Sequence, residues 1–288
     1  MKWLKQIRDI QQKDLEALEN ELTAFYKSPP YQYHSLGEAS DNEWSKADKA
    51  FHWRIINRAY RGARILDVGC GSAIACSHFL ENGAFYTGID LSEKQLSLNK
   101  SRFPLGEFLF MHWRDIVHMD AIYDLVTSFF VLEHIVYPTE FIRSLSSCVK
   151  PGGYLCILCP DYLTLGYMPS IYFFGRNPGG IRRKIQNHDW IEALNEIVQR
   201  FFSFPIFLRR ARIEAKRNGA WVINLRPACL DAHNWDRDWD AVYMASEEEI
   251  SNFIENIGFK VVERGSKLRA AHRSEIMPSF GYVVGQKC

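Results

Sequence analysis

The sequence predicts an α/β protein in which a mostly parallel sheet is covered by helices on both faces. Three observations support this doubly wound fold class. From residue 63 onward, short apolar runs alternate with helix-like segments, which is typical of consecutive strand–helix units. The runs are nearly continuous in apolar residues, as strands buried on both faces should be. A glycine-rich turn, Gly69-Cys70-Gly71, separates the first run from the helical segment after it.

The composition is that of an ordinary globular protein. The chain has 288 residues, of which 47% are hydrophobic and 24% charged, enough for one large domain with an insertion. With 35 basic and 34 acidic residues the net charge is +1, so no nucleic-acid partner is expected. Its 7 cysteines are scattered and odd in number, which favours free thiols and a cytoplasmic location.

Two helical patterns precede the first strand. Residues 3–25 carry apolar side chains at helical spacing and predict an amphipathic helix, which Pro29-Pro30 ends. A polar and aromatic connector, Tyr31–Trp44, leads to a second helical pattern at 45–60. We therefore predict an N-terminal helical cap at residues 1–60.

Residues 61–160 and 246–288 are predicted to form the core. The predicted strands are Ala63–Val68, Ala84–Ile89, Glu107–Met111, Tyr123–Phe129, Tyr154–Cys159, Phe259–Glu263 and Phe280–Val284. The predicted helices between them are Ala73–Glu81, Glu93–Ser101, Glu140–Val149 and Ser246–Ile257. Ser246 and Glu249 should open the last helix with a capping box, in which each side chain accepts a backbone N–H of the other residue.

Residues 161–245 interrupt the alternation after the fifth strand and are predicted to be an insertion that covers a substrate. The insertion is aromatic and basic, and its stretch Asn234–Asp240 has a composition suited to carbohydrate. The aromatic and basic residues at 167–184 would also suit peripheral contact with a membrane. An insertion that only packs or dimerises is the alternative.

The glycine-rich turn and two acidic residues predict a nucleoside-binding site. Glycines let a ligand approach the main chain, and the following helix N-terminus presents unpaired N–H groups. Asp67, at the end of the first strand, would repel a pyrophosphate but suits an ammonium group. Asp90, about 20 positions beyond the turn, can accept hydrogen bonds from ribose hydroxyls, or it caps the next helix. Ile74 replaces the third glycine of a dinucleotide site, which disfavours the alternative of a nicotinamide-dependent oxidoreductase.

Four motifs resemble those of class I S-adenosylmethionine-dependent methyltransferases, in particular the ubiquinone-biosynthesis-like small-molecule subgroup. They are Ile65–Ala73, Tyr86–Ser92, Tyr123–Ser128 with Val131–Ile135, and Val149–Leu155. The resemblance covers about residues 50–160 and 246–285. It implies a Rossmann-like methyltransferase fold with a seven-stranded sheet whose last strand is antiparallel.

The resemblance also implies that the cofactor is S-adenosyl-L-methionine, held at the carboxyl ends of the first four core strands. The residues that it assigns to the cofactor are Asp67, Gly69, Cys70, Gly71, Asp90, Leu91, Asp115, Ile116, Phe129 and Phe130. Asp90 should hold the ribose, and Asp115 and Ile116 should flank the adenine. Phe129 or Phe130 should line the methionine portion.

The predicted function is methyl transfer to a small molecule, with O-methylation of a sugar, a lipid-linked or a quinone-type acceptor favoured. His134 is the candidate base, because histidine titrates near neutral pH, and Glu133 is the second candidate. A structural histidine at a helix start is the alternative for His134. No metal is expected, because Phe130 replaces the first acid of the Glu-x-x-Glu-His run found in some quinone-directed relatives. A protein that binds the cofactor without catalysis is the other functional alternative.

Overall fold

The computed structural model describes residues 3–28, 46–165, 180–227, 240–271 and 280–288. In chain order the strands are β1 Leu4–Gln6, β2 Arg64–Val68, β3 Phe85–Asp90, β4 Glu107–Phe110, β5 Tyr123–Phe129, β6 Val149–Pro160, β7 Val222–Asn224, β8 Phe259–Arg264 and β9 Phe280–Lys287. Seven of them form one sheet in the order β4-β3-β2-β5-β6-β9-β8, in which β9 is antiparallel to both of its neighbours. The predicted Rossmann-like fold with an antiparallel last strand is therefore confirmed.

Helices cover the sheet. They are α1 Gln12–Lys27, α2 Lys46–Ile56, α3 Cys76–Glu81, α4 Glu93–Arg102, α5 Pro138–Cys148, α6 Tyr162–Leu165, α7 Gly180–Gln186, α8 Trp190–Val198, α9 Phe204–Arg217, α10 Glu247–Asn256 and α11 Gly265–Ala271. Short 3-10 turns occupy Ile7–Asp9, Asp115–His118 and Leu132–His134, and a π-helical turn, Gln199–Ser203, joins α8 to α9. Within the described ranges, none of the helices has both the length and the apolarity needed to span a membrane.

The two faces of the sheet bury separate apolar layers. Alternate residues of β6 enter opposite layers, because successive strand side chains point to opposite faces: Leu155 and Ile157 join one layer, and Cys156 and Leu158 the other. Helices α1, α5 and α10 contribute to the first layer, whereas α2, α3 and α4 contribute to the second. Burial on both faces explains why the strands are recognisable as continuous apolar runs.

The N-terminal prediction is wrong in part. The helix expected at residues 3–25 begins only at Gln12, and Leu4–Gln6 instead forms β1, which pairs antiparallel with β7. Leu4 lies opposite Asn224, so the partner is more than 200 residues away. Local spacing of apolar residues cannot reveal a partner at that distance, and the first residues also fit a helical pattern.

The capping box predicted for α10 is not formed. Ser246 is the N-cap residue, but no side-chain capping bond is made there. Glu249 is buried and accepts hydrogen bonds from the backbone N–H groups of Ala220 (2.6 Å) and Trp221 (2.9 Å) and from the Tyr243 hydroxyl (2.6 Å). Buried N–H groups are costly to leave unsatisfied, so tertiary contacts take this carboxylate away from the helix start.

The predicted cap and the predicted insertion pack together. The β1–β7 ladder joins them, and a third apolar cluster combines Leu4 of β1 with Phe204 and Leu208 of α9. The connector Tyr31–Trp44, the segment 166–179 and all of Asn234–Asp240 except its last residue lie outside the described residues. The domain boundaries and the substrate-covering role of residues 161–245 stay predictions.

Candidate functional site

The glycine-rich loop lies at the carboxyl end of β2, where the winding of the sheet reverses between β3 on one side and β5 on the other. Open α/β sheets bind ligands at such a point. Gly69 (φ 72°) and Gly71 (φ 48°) both have positive φ angles. A Cβ atom at Gly69 would lie 2.5 Å from Cγ2 of Val131, whereas one at Gly71 would meet no described atom within 4 Å. Gly69 is therefore the packed position of the loop, and Gly71 is the accessible one.

Hydrogen bonds hold the peptide groups of Gly71 from two sides. Its N–H donates to Oδ2 of Asp90 (2.9 Å), and its C=O accepts from Nδ2 of Asn99 (2.7 Å). Oδ1 of Asp90 also accepts from the N–H of Ser92, which caps α4. Asp90 thus organises both the loop and the helix start. A carboxylate can accept about four hydrogen bonds, so these bonds are compatible with the predicted ribose contact.

Asn99 is a site residue that the sequence analysis missed. It is buried on α4, and Nε2 of Gln95, one turn earlier, donates to its side-chain oxygen (3.1 Å). This bond turns the Asn99 amide group toward the loop. The only signal in the sequence is the polar pair at i and i+4 on a helix that follows the second motif, which is weak because exposed polar pairs share that spacing.

Asp67 lies beneath the loop, where it fastens β2 to both neighbouring strands. It accepts hydrogen bonds from the hydroxyls of Tyr86 on β3 (2.7 Å) and Thr127 on β5 (2.9 Å). Burial raises the pKa of Asp67 from 3.8 to about 6. Because Asp67 is only 3% exposed and bonds both neighbouring strands, the structure gives it a supporting role, and its predicted contact with an ammonium group stays a prediction.

The remaining predicted cofactor residues are divided between surface and core. Cys70 is buried, and its N–H, like that of Gly69, donates to the C=O of Ile89. Leu91 is partly exposed next to Asp90, and Asp115 is exposed in the turn after β4. Ile116 is fully buried in the core, and its predicted contact with an adenine stays a prediction.

Aromatic side chains line the end of β5. The Phe129 ring stacks on the imidazole of His52 (centroids 4.8 Å apart), and the Phe130 ring meets Phe280 edge-on (4.9 Å). His52 is buried on α2 and was not predicted as a site residue. The wall predicted for the methionine portion therefore combines β5 with α2 and β9.

His134 lies between two buried carboxylates. Nδ1 of His134 is 3.5 Å from Oδ2 of Asp240, and its Nε2 is 3.7 Å from Oε1 of Glu133. Asp240 also accepts a hydrogen bond from the hydroxyl of Tyr26 on α1, and the Tyr26 ring lies edge-on to His134 at 5.7 Å. These two carboxylates lie where they could stabilise an imidazolium formed when His134 accepts a proton.

Val131 connects this cluster to the glycine-rich loop. The N–H of His134 donates to the C=O of Val131 (2.9 Å), and the side chain of Val131 faces Gly69. The C=O of Glu133 accepts the N–H groups of Val242 and Tyr243 (2.8 Å each), which fixes the chain next to Asp240. Across the described part of the chain, no group of three His, Cys, Asp or Glu side chains is arranged to hold a metal ion.

Tyr26 and Asp240 were not predicted as site residues. Tyr26 lies in the predicted cap, and Asp240 was noted only as the last residue of the stretch thought to suit carbohydrate. They are 214 residues apart in the chain. Neither follows a recognisable motif, so only the folded chain shows that they meet His134.

Comparisons with known proteins agree on the class of protein. A family model described as a methyltransferase domain matches residues 46–264. A ubiquinone biosynthesis O-methyltransferase from Bordetella avium is 32% identical over 120 residues, which is 40% of this chain and 47% of the relative. One of the same name from Nitrosospira multiformis is 30% identical over 168 residues, 56% of this chain and 65% of the relative. The chain thus spans about half to two thirds of these relatives.

One solved structure resembles the whole fold. It is a chain from the complex between the Haloferax volcanii Trm112 methyltransferase activator and a methyltransferase. The TM-score is 0.50 at 14% identity, covering 89% of this chain and 97% of that one. At this identity the likeness concerns the fold alone.

Proposed function

Since the chain belongs to the methyltransferase-domain family, we propose that it is an enzyme that methylates a hydroxyl group of a small molecule with S-adenosylmethionine as the methyl donor. One observation carries the proposal. The side chain of Val131 faces Gly69 of the glycine-rich loop, which is the proposed donor site, and its C=O accepts the N–H of His134. Val131 therefore contacts both the proposed donor site and the candidate base.

The residues of the loop fit this cofactor. The open space at Gly71 lets a ligand reach the main chain, and Asp90 at the loop suits ribose hydroxyls. Asp115 would face the adenine, and Phe129 with Phe130 would line the methionine portion. When bound, S-adenosylmethionine supplies an electrophilic methyl group on a sulfonium, which an oxygen displaces in line.

His134 removes the proton of the acceptor. With Nδ1 facing Asp240, Nε2 would accept the proton of the acceptor hydroxyl, the oxygen of which takes the methyl group. Asp240 and Glu133 stabilise the resulting imidazolium, and Tyr26 holds Asp240 in place. His134 returns the proton to water after the product leaves.

The acceptor is a small molecule of the quinone, sugar or lipid-linked kind. The quinone-type acceptor has the added support of the relatives named ubiquinone biosynthesis O-methyltransferases. A phenolic hydroxyl of that kind loses its proton more easily than a sugar hydroxyl, which suits a histidine base near neutral pH.

Calorimetry with S-adenosylhomocysteine tests the cofactor. We expect the wild type to bind S-adenosylhomocysteine and not NAD. Asp90→Ala should lose about 1–3 kcal/mol of the free energy of binding S-adenosylhomocysteine, because the variant loses hydrogen bonds to the ribose and to Gly71. A protein that binds NAD and not S-adenosylhomocysteine would overturn the assignment. Melting temperatures of both proteins separate lost binding from lost folding.

Transfer of a labelled methyl group to a panel of dihydroxyphenyl compounds and sugars tests the reaction. We expect His134→Gln to lower kcat by about 10²-fold or more with unchanged affinity for S-adenosylhomocysteine. Asp240→Asn should lower kcat less than His134→Gln does, because the variant keeps the imidazole but loses one of the two carboxylates that stabilise the imidazolium. Binding of the cofactor with no transfer to any compound would favour the non-catalytic alternative.

A further inference from the structure

The outward side of the segment formed by α8, the π-helical turn and α9 carries exposed apolar side chains. These three elements follow one another without a break from Trp190 to Arg217. Between Trp190 and Ile206, seven apolar residues are each between 46% and 79% exposed: Trp190, Ile191, Leu194, Val198, Phe201, Phe202 and Ile206. We call these seven residues the apolar stripe.

The apolar stripe is distinct from the face that packs on the protein. Phe204, Leu208 and Ala211 of α9 are buried in the third apolar cluster, and Ala193 of α8 is buried as well. Residues three or four apart lie next to each other on a helix, so the members of the stripe adjoin along the segment. Soluble proteins rarely leave a continuous apolar patch of this kind in water.

The surroundings of the stripe are positively charged. Residues 180–217 contain 9 basic and 4 acidic residues, although the whole chain is nearly neutral at +1. Arg209 and Arg210 are exposed one turn after Ile206. Two of the acids, Glu192 and Glu196, lie within 3.9 Å and 3.0 Å of the Lys184 amine, which offsets their charge.

We propose that the apolar stripe docks the protein on an anionic lipid surface, with the segment lying along the interface. Its aromatic and aliphatic side chains would enter the boundary between head groups and acyl chains, and its arginines would contact lipid phosphates. A second copy of the chain is disfavoured as the occupant, because a symmetric dimer would bring the same arginines close to each other. The proposal is independent of the reaction proposed above.

Co-sedimentation of the full chain with vesicles tests the docking. One set contains only phosphatidylcholine, and the other contains about one third phosphatidylglycerol. We expect binding to the anionic vesicles that weakens with salt, and at least about tenfold weaker partition for Phe201→Ser/Phe202→Ser/Ile206→Ser, which removes three inserted apolar side chains. Arg209→Glu/Arg210→Glu should lose the preference for anionic lipid.

A matched control removes exposed apolar residues elsewhere. Phe85 and Leu105 are 68% and 83% exposed on the core, and Phe85→Ser/Leu105→Ser should bind vesicles as the wild type does. The proposal is overturned if the wild type ignores anionic vesicles, if the triple variant binds them equally well, or if both vesicle types bind equally. It is also overturned if the stripe variants convert a stable dimer to a monomer without changing vesicle binding.

Discussion

Gly69→Ala should destabilise the protein because two independent costs meet at that residue. The φ angle of 72° is one that L-residues rarely adopt, and a Cβ atom would lie 2.5 Å from Cγ2 and 3.0 Å from Cγ1 of Val131. The left-handed conformation costs about 1–2 kcal/mol for a residue with a side chain. Overpacking in a tight contact adds about 1–3 kcal/mol. The expected loss in the free energy of unfolding is therefore about 2–5 kcal/mol, measured by urea denaturation.

Gly71→Ala is the matched comparison. Gly71 also has a positive φ angle, but its added Cβ meets no described atom within 4 Å, so only the conformational cost of about 1–2 kcal/mol applies. Because that Cβ enters the space proposed for the cofactor, Gly71→Ala should weaken S-adenosylhomocysteine binding more than it weakens the fold. Equal stabilities of Gly69→Ala and Gly71→Ala would refute the tight packing at Gly69.

A double-mutant cycle measures the contact itself. Val131→Ala removes the two γ-carbons and leaves only its Cβ, 3.3 Å from the added atom. Gly69→Ala should therefore cost about 1–3 kcal/mol less in the Val131→Ala background than in the wild type. An unchanged cost would mean that the conformational strain, rather than the contact, accounts for the whole effect.

Two further predictions concern residues that support the site. Asn99→Ala should raise the dissociation constant of S-adenosylhomocysteine about 5- to 50-fold, because the C=O of Gly71 loses its partner; Ser101→Ala, on the exposed side of the same helix, is the control, and equal affinities would remove Asn99 from the site. Glu249→Gln should change how stability depends on pH. Burial raises the pKa of Glu249 from 4.5 to about 7, so its folded form holds the proton more tightly than its unfolded form. Its contribution to stability is then greatest below about pH 4.5 and is lost as pH rises through 7, and the variant should gain about 3 kcal/mol relative to wild type between pH 4 and pH 8 in urea denaturation; a difference that does not vary with pH would contradict this.

The sheet and the glycine-rich loop were predictable because the sequence patterns that indicate them are local. Strand Tyr123–Phe129 was predicted with its observed bounds, and the others differed mainly at their ends, since a buried strand is recognisable from its own apolar run. Asn99 and His52 were missed because nothing in their own segments indicates the partner that each meets. Glu249 shows the opposite error, since a local capping pattern was outcompeted by backbone groups far away in the chain.

The two halves of the site differ in how far along the chain their contacts reach. Asp90 and Asn99 bond Gly71 from 19 and 28 residues away, whereas Tyr26 reaches Asp240 across 214 residues. Contacts between distant residues form later in folding because a longer loop must close first. During synthesis, the glycine-rich loop can therefore form its hydrogen bonds to Asp90 and Asn99 before Asp240 has been added to the chain. His134 is then already present but lacks one of its two carboxylate neighbours, so the candidate base gains its full set of contacts later than the glycine-rich loop does.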